Sequence, residues 1–215
     1  MNKLIILGGA FNPPLNSHFS LAQQIVNEVE DVEKVIFMPV SANYKKAEMP
    51  IDNEHRFKML QMVCKDNPKF EVSKLELDFE RVLTTIETLR ILKEKYQDKE
   101  IIFATGTDNL QELETWNNCQ DILNEFTVLV FERGSDNFEE IVQNSEFLSR
   151  NKKSIVKLEN NMRTDLSSTF AREKLRRGKS IRYLTPDCIV EYIVKNNLYK
   201  GDKNVRWWKI KSRIK

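Results

Sequence analysis

Four short runs of consecutive apolar residues punctuate the chain: LIIL at 4–7, VIFM at 35–38, IIFA at 101–104 and VLVF at 128–131. Each is too short for a helix core, and helical stretches separate them, the pattern of buried parallel strands joined by crossover helices. Two weaker runs, at 70–77 and 155–158, fit the same reading. Between the runs, Leu21, Ile25 and Val29 recur every four residues, and Ile86, Leu89 and Leu92 gather on one face beside Arg90. That spacing predicts amphipathic helices. A last stripe, Ile189, Val190, Ile193, Val194 and Leu198, follows Pro186, a residue well suited to the first turn of a helix. The pattern shows no internal repeat and no low-complexity segment. It predicts an α/β fold, Rossmann-like and doubly wound, with a mostly parallel sheet and a helical C-terminal portion.

Charge divides the chain in a way that periodicity does not. Over 215 residues, 34 Lys and Arg oppose 32 Asp and Glu, for a net +2. Residues 200–215 alone carry +6, which leaves −4 on the rest. One domain over 1–199 followed by a basic tail over 200–215 is therefore expected. A neutral-to-acidic body argues against broad nucleic-acid binding, which needs a basic face, so any RNA or membrane contact would fall to the tail and its Trp207 and Trp208. The tail also reads as a plain solvated extension or a subunit-packing strand, which keeps a homo-oligomer open. No apolar run approaches the roughly 20 residues that span a bilayer. Three widely spaced cysteines, Cys64, Cys119 and Cys188, form no C-x-x-C pair, so neither a disulfide framework nor a zinc site is expected. A cytoplasmic protein with no metal ligands of its own fits these features.

Two segments carry candidate chemistry. The first apolar run ends at Gly8 and Gly9, followed by Ala10, Phe11, Asn12, Pro13 and Pro14, with His18 near the start of a helix. A glycine pair before a helix lets backbone N–H groups approach a phosphate; it equally serves a tight turn. The spacing matches neither a Walker loop nor G-x-G-x-x-G. The second segment is LSSTFAREKLRRG at 166–178, where Ser167, Ser168 and Thr169 are helix-capping residues and Arg172 lies one turn inside. It reads as an ordinary capped helix or as a second phosphate cradle facing the first.

Taken together, these segments resemble a known family. GGAFNPPLNSH is similar to the G-G-S/T-F-D/N-P-P-H-x-G-H signature of bacterial nicotinate-nucleotide adenylyltransferases, in the nucleotidylyltransferase superfamily, and LSSTFAR resembles I-S-S-T-x-I-R. Further matches follow in the family's order: TTIETL at 84–89, GTDNLQELETW at 106–116 and YLTPDCIVEYIVKNNLY at 183–199. The resemblance implies transfer of AMP from ATP to nicotinate mononucleotide with release of pyrophosphate, by direct attack on the α-phosphorus and with magnesium carried on the ATP oxygens. It implies that Gly8, Gly9, Ala10, Phe11 and His18 bind ATP, with Ser167, Ser168, Thr169 and Arg172 on the same phosphates. His18, Arg172 and Lys46 would serve the reaction itself. Asn12, Lys45, Thr85, Gly106, Asp108 and Trp116 would meet the substrates, Asp108 at a ribose hydroxyl, Thr85 and Trp116 at the pyridine ring.

Three positions depart from the family pattern. Leu15 replaces the first histidine, Ser17 the glycine and Thr84 the tyrosine before Thr85. Leucine donates no hydrogen bond, and losing one such donor costs roughly 10²–10³ in rate. A nucleotide sensor without turnover, and an enzyme for another phosphorylated acceptor, are accordingly the competing readings.

Overall fold

The computed structural model describes residues 1–43 and 50–199. Six strands form one wholly parallel sheet: β1 (Lys3–Gly9), β2 (Val32–Pro39), β3 (Phe70–Val72), β4 (Glu100–Gly106), β5 (Thr127–Phe131) and β6 (Ile155–Lys157). Their order across the sheet is β3-β2-β1-β4-β5-β6. The four strong apolar runs are the four central strands, as the doubly wound reading predicts. The weaker run at 70–77 is a strand only as far as Val72. Ser73 ends it by accepting the Leu75 N–H on its hydroxyl oxygen at 3.1 Å, and the chain turns into a short helix.

Ten α-helices flank the sheet among the described residues, the last two after β6: α1 (Asn16–Glu28), α2 (Asn53–Cys64), α3 (Leu75–Asp78), α4 (Thr85–Lys95), α5 (Thr107–Glu112), α6 (Cys119–Glu125), α7 (Phe138–Asn144), α8 (Glu146–Arg150), α9 (Ser168–Arg176) and α10 (Asp187–Lys195). Alternation along each strand sorts its side chains into two cores. Ile5, Leu7, Val35 and Phe37 face α1, α2, α9 and α10, meeting Leu15, Phe19, Met59, Ala171 and Ile189. Leu4, Ile6, Ile36 and Met38 face α4, α5, α6 and α8 through Ile86, Leu110, Ile122 and Leu148. Burial on both faces is why these strands read as continuous apolar runs.

The strand order reverses between β1 and β4, so the loops after these two strands diverge to opposite sides and leave a crevice at their carboxyl ends, the usual ligand site of such a sheet. Gly8 and Gly9 stand at one lip and Gly106 at the other. Among the described residues no helix is long and apolar enough to cross a membrane, the cysteines are free, and no three His, Cys, Asp or Glu side chains gather as a metal site.

Candidate active site

The loop after β1 owes its shape to close packing. A Cβ on Gly9 would lie 3.0 Å from the ring of Phe11, which folds back over it with a left-handed φ of 46°. At Gly8 the nearest obstacle, a ring carbon of Phe103, is 3.7 Å away, so the main chain there is open to a ligand. Four carbonyls of the loop are taken by side chains from distant elements. Ala10 O accepts from Arg56 Nη1 at 2.9 Å, Asn12 O from Arg172 Nη1 at 3.0 Å, Pro13 O from Ser168 Oγ at 2.9 Å and Pro14 O from Thr185 Oγ1 at 2.7 Å. An anion approaching the loop therefore meets no uncompensated carbonyl at these positions.

His18 lies in the first turn of α1, where its Nδ1 accepts the N–H of Leu15 at 2.9 Å. A nitrogen that accepts a main-chain N–H carries no proton, so the ring is the Nε2–H tautomer. Burial lowers its pKa from 6.5 to about 4, with the positive charge of Arg133 adding to the effect. At neutral pH His18 is thus an uncharged donor fixed at a helix N-terminus. Leu15 itself is wholly buried in the first core, and its side chain takes no part in the crevice.

Across the crevice, α9 begins as the sequence predicts. Ser167 is its N-cap, accepting the Phe170 N–H on Oγ at 3.2 Å. The side chains that follow are placed less openly than expected. The hydroxyl proton of Ser168 is committed to Pro13 O, leaving its main-chain N–H as the group that can face a phosphate. Thr169 accepts from Arg172 Nη2 at 3.2 Å, which directs its own hydroxyl proton elsewhere, and it is exposed. Arg172 is only 7% exposed and lies beneath the loop, so its charge reaches the crevice through the peptides it supports. Asn12 is wholly buried, its Oδ1 accepting from the Tyr199 hydroxyl at 2.6 Å.

At the second lip, a Cβ on Gly106 would lie 2.4 Å from Asp108 Oδ1 and 2.7 Å from the Arg133 side chain, so any larger residue there would push this pair aside. Asp108 accepts from Arg133 Nη1 at 2.8 Å in an exposed pair. Thr107 Oγ1 ties this lip to the loop after β5 by accepting the Arg133 N–H at 3.1 Å and donating to Asp136 at 2.8 Å. Trp116 is half-buried, edge-on to Phe103 at 6.1 Å, and a Phe103 ring carbon is what a Cβ on Gly8 would meet, at 3.7 Å. Thr85 opens α4, capped by Thr84, whose N–H and hydroxyl both donate to Glu87 at 2.8 Å. The two faces of the sheet thus divide the expected roles. His18 and α9 belong to the first core's face, whereas Trp116 and α4 belong to the second's. Lys45 and Lys46 lie outside the described residues.

Arg133 and Arg56 were not foreseen. Arg133 stands two residues past a strong apolar run, at a strand's carboxyl end, and that placement is a usable signal. For Arg56 no local signal exists: nothing in HRFKML marks a fully buried guanidinium that holds Ala10 O, Val40 O and Asn53 Oδ1.

A parallel sheet with two helix N-termini, a neutral imidazole and a carbonyl-capped glycine loop around one crevice defines a nucleotide-binding α/β protein of the nucleotidylyltransferase class. Comparison with known proteins agrees. Residues 6–174 match the cytidylyltransferase-like family model. A probable nicotinate-nucleotide adenylyltransferase of Lachnoclostridium phytofermentans is 32% identical over 93% of this chain and 100% of its own length. One from Caldicellulosiruptor saccharolyticus is 34% identical over 92% and 99%. Among solved structures, the nicotinic acid mononucleotide adenylyltransferase of Plasmodium falciparum complexed with NaAD superposes with a TM-score of 0.75 at 18% identity, covering 93% of this chain and 98% of that one. The chain belongs to the cytidylyltransferase-like family and, within it, to the nicotinate-nucleotide adenylyltransferases, a group of nucleotidyltransferase enzymes.

Proposed function

We propose that this chain transfers the adenylyl group of magnesium–ATP to nicotinate mononucleotide and releases pyrophosphate. A phosphate oxygen of the mononucleotide attacks the α-phosphorus, the new P–O bond forms in line, and the bond to the β-phosphate oxygen breaks. No covalent enzyme intermediate is required. The protein's part is positioning and charge stabilisation. His18 Nε2–H donates to the phosphoryl oxygens. The N–H groups of Gly8 to Phe11 and of the first turn of α9, with the Thr169 hydroxyl, hold the remaining phosphates. Arg172 stabilises the departing pyrophosphate through the loop it underlies, and Lys46 is its candidate counterpart from the segment outside the described residues, with Lys45 beside it on the substrate. Asp108 exchanges Arg133 for a ribose hydroxyl, and Trp116 stacks on the pyridine ring with Thr85 at its carboxylate. Magnesium enters on the ATP oxygens as part of the substrate.

The observation that carries this reading is the neutral, tautomer-fixed His18 beside the fastened loop. Its test is pyrophosphate release from ATP, magnesium and nicotinate mononucleotide. His18→Ala is expected to lower kcat by roughly 10²–10³ while ATP still binds. Leu15, which supplies no donor where the family has a histidine, favours the sensor as the second reading. Wild-type turnover no faster than that of His18→Ala, with ATP bound by both, would establish the sensor. Nicotinamide mononucleotide and phosphopantetheine tested in parallel decide the acceptor.

A further inference from the structure

The loop at 10–14 is held from below by Arg56 of α2, Ser168 and Arg172 of α9, and Thr185 just before α10. A fifth support comes from later in the chain. Tyr199, four residues past the end of α10, is 7% exposed, and its hydroxyl donates to Asn12 Oδ1 at 2.6 Å. Asn12 is 0% exposed, so this bond lies wholly inside the protein. Burial pushes the Tyr199 hydroxyl well above its ordinary pKa, more than the nearby Arg172 and Arg56 charges pull it down. It therefore stays protonated, and a donor, at any working pH.

Asn12 is where the loop is steered. Phe11 before it is left-handed, Pro13 follows it, and its own carbonyl is the acceptor for Arg172. Without the Tyr199 proton, Asn12 Oδ1 loses this buried donor, and the side chain is no longer held in place from that side. Its rotation shifts the Asn12 peptide and, with it, the run from Gly9 to His18. The tyrosine ring packs into the first core, so the ring serves stability and the hydroxyl serves the loop.

We propose that Tyr199 is a positioning residue for adenylyl transfer: by fixing Asn12 it holds the glycine loop and the head of α1 in the geometry that receives the ATP phosphates. This rests on the reading of the crevice as an adenylyl-transfer site. Tyr199 itself touches no substrate.

The test is Tyr199→Phe, which keeps the ring and removes the proton. At a temperature where circular dichroism shows both proteins folded, kcat/KM for ATP is expected to fall about tenfold, as is affinity for a non-hydrolysable ATP analogue. KM for nicotinate mononucleotide should stay unchanged. Asn12→Leu should match the loss in Tyr199→Phe, with no further loss in the double variant. Should Asn12→Leu not fold, Tyr199→Phe decides alone, by its kcat/KM for ATP and its analogue affinity. Wild-type rate and analogue affinity in Tyr199→Phe overturn the proposal whatever its melting temperature, and so do losses that multiply in the double variant. If the wild type releases no pyrophosphate, the functional reading fails on its own, and analogue affinity still decides the role of Tyr199.

Discussion

A histidine whose Nδ1 accepts a main-chain N–H must surrender that bond to become charged, and this makes His18 resist acid. Its folded pKa, about 4, lies below the 6.5 of the free side chain. Between those values the unfolded chain binds a proton that the folded one does not. Stability tied to His18 is therefore complete above pH 6.5 and is lost as pH falls toward 4, by at most about 3 kcal/mol. The chain has only two histidines, His18 and His55, so their imidazole resonances separate readily by NMR. His18 is expected to remain the neutral Nε2–H tautomer down to about pH 4, and a midpoint near 6.5 would mean that burial and the Leu15 N–H do not hold the ring neutral in acid. Leu15 belongs to the same turn. Because it is wholly buried beside Phe11 and Phe19, the family's first histidine could be restored there only by placing an imidazole among apolar neighbours.

Between whole elements, a second buried titratable group joins α3 to α4. Thr88 donates to Glu76 at 2.9 Å, and burial pushes the Glu76 carboxyl up to about 7. Here the folded state binds the extra proton between pH 4.5 and 7, so stability falls as pH rises through that window. Glu76→Gln, neutral at every pH, is expected to raise the melting temperature by a few degrees at pH 8 and leave it unchanged at pH 4.5. An equal shift at both values would mean that charge is not the cause. The elements themselves were largely legible in the sequence, for reasons local to each. Strands covered on both faces read as apolar runs, and helix starts are written in caps such as Asp52, which accepts the His55 N–H, and Ser167. The candidate site was legible only in part. His18 and the head of α9 stand where local chemistry puts them. The direction of Arg172, the burial of Asn12 and the support from Arg56 were not legible. They depend on contacts between residues 160, 187 and 46 positions apart, where only the assembled fold decides which carbonyl lacks a donor.

For the molecule as a whole, the question is how an acidic body holds a substrate as anionic as ATP. The near-neutral total of +2 conceals a body that repels anions and a tail that attracts them. In the crevice, His18 is uncharged and Arg133 is paired with Asp108. Among the described residues, what remains there is main-chain N–H groups at two helix starts, backed by the two guanidiniums under the loop. These forces are short-ranged and little screened, unlike the long-range field of a charged surface. Ending the chain after Lys200 keeps Tyr199, the last core residue described, and changes the net charge to −3. If the local groups hold the substrate, kcat/KM for ATP in this shortened chain should stay within about twofold of the full chain at 150 mM salt, where the Debye length is roughly 8 Å. Melting temperature should not move. A loss above tenfold that grows as salt is lowered would instead assign the capture of ATP to the tail, because only a long-range attraction strengthens when screening is removed.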